Sequence, residues 1–144
     1  MFLLGSERVE AGDWYDGALV DLEEARTALA SGRNNWAAFA AHQAVEKALK
    51  SAYIVLKRRL PPETNDLTRL LSELELPLPE SLRVGVSELT PYYTVSRYPN
   101  AGLERPWEGI ERSTAEKFVE LAEEVVKKVG EVLGFGEVGG TRSR

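Results

Sequence analysis

The chain has 144 residues, 43% hydrophobic and 28% charged, which suffices for one globular domain with its own core. It has no cysteine, which excludes disulfides and thiolate metal sites, and its single histidine, His42, is the only residue through which a histidine-based metal centre or triad can be built. A net charge of −5 excludes a broadly basic nucleic-acid-binding surface but leaves room for a local basic groove.

The opening MFLLGSERVE has no basic segment ahead of its apolar residues, so it is not expected to be a signal peptide. No run of about 18 apolar residues follows, so no membrane-spanning helix and no membrane partner are predicted, and a cytoplasmic location is expected. The first predicted helix is DWYDGALVDLEEARTALASG. Trp14, Ala18, Leu22, Ala25 and Leu29 form one stripe, with Asp13 able to cap the start and Gly32 stopping the end. An earlier start near Ser6 puts Val9 on the same face. The second helix is predicted from about Asn35 to Arg59, ended by Pro61-Pro62. A third, short helix carries Leu67, Leu70, Leu71 and Leu74 and is capped by Thr64 or Asn65. Pro79 fits the first position of a fourth helix with Leu82, Val86 and Leu89.

The segment TPYYTVSRYPNAGLERPWEGIER is too rich in proline, glycine and aromatics to be regular, and long ordered loops tend to be functional. The last helix is predicted to open on a Ser113/Glu116 capping box and to bury Ala115, Phe118, Val119, Ala122, Val125, Val126, Val129 and Leu133. The expected architecture is all-α, an up-and-down bundle of four to five helices in one domain over residues 1–134, with a flexible tail over 135–144.

The stretch HQAVEKALK in the second helix sets a problem. His42, Gln43, Glu46, Lys47 and Lys50 fall within an arc of about 140° on the helical wheel, and Trp36, Phe39, Tyr53 and Ile54 bracket them on the same arc. His42–Glu46 and Glu46–Lys50 are i,i+4 pairs, so Glu46 can sit between two cations. Three readings follow. The band satisfies itself at a helix-packing seam, or it faces a dimer partner or ligand cleft with Lys47 and Lys50 attracting phosphate, or it is a plain solvated face. The Lys57-Arg58-Arg59 run suits a helix C-terminus.

FAAHQAVEKALKSAYIVL resembles the second-helix signature of the prokaryotic HEPN domain family. The upstream DLEEARTAL resembles that family's first helix, Asn65-Asp66-Leu67 its His-Asp-Leu helix start, and Arg97-Tyr98-Pro99 its Arg-Tyr-Pro loop before the last helix. The resemblance spans about residues 7 to 133, with the four motifs in order. It implies a HEPN-like bundle that dimerises, commonly with a minimal nucleotidyltransferase partner, and no cofactor. Many such domains are metal-independent endoribonucleases of toxin–antitoxin modules, using an arginine and a histidine four to six residues apart near the last helix. Here no histidine follows Arg97, Arg105 or Arg112, and Asn65 replaces the histidine of the His-Asp-Leu start. The catalytic pair is absent, and the resemblance implies a non-catalytic or degenerate member that binds a nucleotide, an RNA or a nucleotidyltransferase. Arg97, Tyr98, Asn100, Asp66, Lys47 and Lys50 are the candidate ligand-binding residues, with Tyr92 or Tyr93 as further stacking surfaces, and His42, Gln43 and Glu46 the candidate buried polar network. The alternative is a ribonuclease with a noncanonical acid–base set, in which His42 acts with Arg97 and Glu46.

Overall fold

The longest periodic segments become three long helices, and these form the body of the molecule. A computed structural model describes residues 5–135. The long helices are α1 (Gly5–Ala30), α2 (Asn34–Lys57) and α7 (Arg112–Leu133). Between α2 and α7 lie α3 (Leu67–Leu74), α4 (Glu80–Leu89) and two single turns, α5 (Tyr92–Val95) and α6 (Pro106–Gly109). No strand occurs among the described residues. The result is the expected all-α bundle, with α3 and α4 completing five helices around the core.

Gly32 reverses the chain between α1 and α2 at φ 76°, where a side chain is disfavoured, and Arg33 N–H bonds back to Ala28 O at 2.9 Å. The two helices run antiparallel, because Lys47 meets Asp21 and Ser51 Oγ donates to Ala11 O. α7 is antiparallel to α1, with Arg26 on Glu123 and Tyr15 OH donating to Val126 O at 3.1 Å. The alanine richness of α1 and α2 explains how closely they pack. Ala11, Ala18, Ala25, Ala37, Ala38, Ala41, Ala44, Ala48 and Ala52 are all fully buried, and small side chains let helix axes approach toward the lower end of the usual 8–10 Å range. The α1 stripe runs through Ala11, Tyr15, Ala18, Leu22 and Ala25. Val9 is not on it and is exposed, and Trp14 and Leu29 are half-buried at its margins.

Several helix ends differ from their sequence-based positions. α1 starts at Gly5, well before Asp13 and next to the earlier start near Ser6 that the sequence also allowed. α2 stops at Lys57, before the prolines, because Arg58 turns left-handed (φ 58°) and its N–H closes on Ile54 O. α3 is capped by Asp66, whose carboxylate accepts from the Thr68 and Arg69 amides, while Thr64 Oγ1 accepts from Asp66 N–H. Pro79 is the N-cap of α4 and not its first residue. Glu111, with no side-chain cap bond, precedes α7, so Ser113 lies inside the helix and forms no capping box. The segment after Thr90 contains the turns α5 and α6, held by Asn35 Nδ2 donating to Ser96 O and Asn34 Nδ2 to Ile110 O, each at 3.1 Å. Phe135, assigned by sequence to the tail, packs on Tyr15 with ring centroids 5.3 Å apart. The rest of that tail, and residues 1–4 of the expected domain, lie outside the described residues.

The Tyr15 ring passes over Gly130, where an added Cβ collides with the phenolic oxygen. Gly130→Ala is therefore expected to destabilise the protein by about 1–3 kcal/mol, because a buried hydrogen-bonded ring has to move. Tyr15→Phe, which loses the bond to Val126 O, should cost about 1 kcal/mol. Urea unfolding of the two variants gives both numbers, and a Gly130→Ala variant as stable as the wild type would contradict the packing.

Candidate functional site

The loop after α5 is brought to the N-terminal end of α2 by Asn34 and Asn35, and it delivers Arg97 onto an aromatic cluster. The Arg97 guanidinium lies 4.5 Å from the Phe39 ring centroid, 4.5 Å from Tyr93 and 4.7 Å from Tyr98. Its Nε donates to Tyr93 O at 2.8 Å, and Nη1 makes a long contact of 3.4 Å to Tyr98 OH. Nη2 has no protein partner among the described residues. A guanidinium has five donors in a planar fork, so this one is oriented by stacking and keeps donors for an anion. Trp36 extends the aromatic surface, edge-on to Phe39 at 6.0 Å and half exposed.

Beside this cluster lies the polar band of α2. His42 is fully buried; its Nε2 is 3.1 Å from Asn65 O, and its ring lies tilted against Tyr93, with centroids 5.5 Å apart. A carbonyl can only accept, so the neutral ring carries its proton on Nε2. Nδ1 lies 3.2 Å from Gln43 Oε1. Burial pushes the His42 pKa down to about 4, against the bonds from Gln43, Asn65 and Thr90 that favour the charged form, and the Arg97 charge adds to the lowering. His42 is therefore neutral at pH 7. Glu46 does not sit between two cations: Lys50 holds Oε2 at 2.9 Å, while Oε1 lies 3.8 Å from the uncharged His42 and has no hydrogen-bond donor. Glu46 and Lys50 are buried within the single chain, with Lys50 Nζ over the Trp14 ring of α1 at 5.5 Å. Lys47 pairs with Asp21 of α1 at 2.8 Å.

The other candidate residues are dispersed. Asp66 serves as the cap of α3, and the hydrogen bonds of Arg97 go to Tyr93 and Tyr98 instead. Asn100 is exposed in a left-handed conformation (φ 62°), its N–H bonded to Leu103 O. Tyr92 turns inward onto Phe118 at 4.8 Å, and Tyr98 is half exposed. So Arg97 and Tyr98 come together, whereas Lys47 is engaged by Asp21 of α1 and Lys50 by Glu46 of α2 itself. Phe39 and the two asparagines were missed as site residues, whereas Tyr93, expected as a stacking surface, does lie against Arg97. The Asn34-Asn35 pair ahead of a helix was the one sequence signal for them, since asparagines there are free to tether a distant loop.

A groove of about 420 Å³ opens between α1 and α2 next to this cluster, with Phe39 common to both. Among the described residues no cluster of side chains suits a metal ion, and no helix is long and apolar enough to cross a membrane.

An all-α bundle with an arginine loop before its last helix defines the class of domain, and comparison gives the family. Residues 11–132 match the HEPN domain family, and the chain belongs to it. The crystal structure of a protein from Thermus thermophilus is 34% identical, with a TM-score of 0.76 over 84% of this chain and 96% of that one. An archaeal HEPN homologue is 27% identical, with a TM-score of 0.72 over 85% and 97%. A HEPN domain protein from Thermotoga maritima is 28% identical, with a TM-score of 0.67 over 86% and 99%. No match was found among curated proteins.

The depressed His42 pKa has a consequence for stability. The folded value of about 4 lies below the ordinary 6.5, so the unfolded chain takes up the proton first and stability falls as pH drops from 6.5 toward 4. At about 1.4 kcal/mol per unit, the full loss is about 3 kcal/mol. Urea unfolding at pH 7 and pH 5 should show most of it in the wild type, and His42→Gln should flatten the profile in that window. An unchanged slope in the variant would mean that His42 titrates normally in the fold.

Proposed function

We propose that the chain is a non-catalytic HEPN-domain protein that dimerises and binds a nucleotide or RNA phosphate, or a minimal nucleotidyltransferase partner, around Arg97 in a toxin–antitoxin type module. The observation that carries the proposal is the stacking of Arg97 on Phe39, Tyr93 and Tyr98 with Nη2 free of protein partners. An arginine whose orientation is already fixed loses little entropy on meeting a phosphate, and binds it through two parallel N–H groups. The half-exposed Tyr98 beside it offers a face for a base. An overall charge of −5 suits a focused site of this kind and not a diffuse basic surface. Val9 and Val20, exposed about three turns apart on one face of α1, support a protein partner there.

The ribonuclease alternative assigns proton transfer to His42. That residue is fully buried, neutral at pH 7 and engaged at both ring nitrogens, which favours the binding reading.

The test is fluorescence anisotropy with a labelled single-stranded RNA. Arg97→Ala should weaken binding about tenfold and make it less sensitive to salt, and Arg97→Lys should restore little, because the planar fork is lost. The RNA should stay intact with wild type and His42→Ala alike. Failure of the wild type to bind, binding indifferent to Arg97, or cleavage that vanishes in His42→Ala would overturn the proposal.

A further inference from the structure

The groove between α1 and α2 carries a chemistry that the Arg97 stack lacks. Its volume of about 420 Å³ is that of a small-molecule site. Trp36 and Phe39 line one side, with their rings edge-on at 6.0 Å and 86°. Two carboxylates line the α1 side, and they differ. Asp21 is neutralised by Lys47 at 2.8 Å, whereas Glu24 has no hydrogen-bond or ion-pair partner among the described residues. Arg33 lines the other end, exposed and likewise without a side-chain partner among the described residues.

These groups are ordered along the groove. From Glu24 to Ala28, both lining residues, α1 rises about 6 Å, and Ser31 and Arg33 follow in the turn after its end. A ligand that uses all of them needs a flat ring for the aromatic wall, hydrogen-bond donors at one edge for Glu24, and an anion at the far end for Arg33. A simple organic cation satisfies Glu24 but meets Arg33 with like charge. A nucleotide meets all three demands, and one base meets them best. A carboxylate presents two acceptors side by side. Guanine has two adjacent donors, N1–H and the 2-amino group, on its Watson–Crick edge. Adenine and cytosine offer an amine next to a ring acceptor, and uracil offers one N–H between two carbonyls that a carboxylate repels.

We infer that the α1–α2 groove is a guanine-nucleotide subsite in which Glu24 reads the base edge, Trp36 and Phe39 hold the ring and Arg33 meets the phosphate. The inference rests on the proposed nucleotide or RNA binding at Arg97 and extends it. Phe39 lines the groove and also carries the Arg97 guanidinium, so a strand whose phosphate sits on Arg97 brings a neighbouring base to Trp36. Glu24 thereby becomes a specificity residue on the exposed side of α1, where substitution leaves the core untouched.

The experiment is an NMR titration of the full chain with guanosine and inosine monophosphates, which differ only in the 2-amino group, read at the Trp36 indole N–H. The guanine nucleotide should bind about tenfold more tightly, since one charged hydrogen bond separates the two ligands. Glu24→Ala should bring it to the inosine level, Trp36→Ala should weaken both, and Arg97→Ala should leave the guanine preference in place. Circular dichroism of each variant confirms that it is folded. Equal affinities for the two nucleotides, no shift at Trp36, or a preference that survives Glu24→Ala would overturn the inference. If equal affinities accompany RNA binding that depends on Arg97, only the guanine subsite falls. If the guanine preference appears but no RNA binds, it is the Arg97 proposal that falls.

Discussion

A helix packed on several sides has no water to spare for its polar groups, and α2 carries His42, Glu46, Lys50 and Ser51 in its buried middle. Each of these groups must find its partner inside the fold, and the partners fix how the other elements dock. His42 reaches the Asn65 carbonyl in the α2–α3 connection, Lys50 closes on Glu46 beneath Trp14, and Ser51 reaches the Ala11 carbonyl of α1. Leaving any of them unpaired costs more than the bond itself contributes, so the band acts on the fold mainly by excluding other registers of α1 against α2. The alanines between these residues let α1 come close enough for the bonds to form.

The same helix organises the surface that we connect with function. Its first turn supplies Asn34 and Asn35 to moor the loop, and its second supplies Phe39 as the platform under Arg97. His42 lies one turn further on and is neutral, so it adds no charge repulsion to the guanidinium near it. Tyr93 ties the two parts together, since its ring touches Phe39, His42 and Arg97. The stacked arginine is thus an outgrowth of the buried band, joined to His42 by one shared ring.

Much of this was legible in the sequence. The three long helices follow from their apolar periodicity, and the HEPN resemblance rested on QAVEKALK and the Arg97-Tyr98-Pro99 loop, which the family match over residues 11–132 supports. The caps were less legible, because Thr64, Asn65 and Asp66 are all good capping types, and only backbone geometry decides that Asp66 takes the amides of α3. Ser113 and Glu116 have capping-box spacing, yet the helix begins two residues earlier than that box requires, at Arg112 with Glu111 as its N-cap. The partners of Arg97 were not legible for a different reason. Phe39 is far from Arg97 in sequence, and it read as part of an apolar bracket around the polar band. Lys50 was legible as an i,i+4 partner of Glu46, but the pairing of Lys47 with Asp21 across the α1–α2 seam has no sequence periodicity to announce it.

The central claim is that the α2 band is closed within one chain, and a double-mutant cycle on Glu46 and Lys50 tests it most directly. Lys50→Met alone should cost about 2–4 kcal/mol in urea unfolding, because it strands the Glu46 carboxylate beside a neutral His42. Adding Glu46→Leu should recover most of that loss, since a well-packed apolar pair replaces a buried ion pair at little cost. A Lys50→Met variant within about 0.5 kcal/mol of the wild type, with no coupling to Glu46, would mean that water already reaches these groups, and would contradict the account.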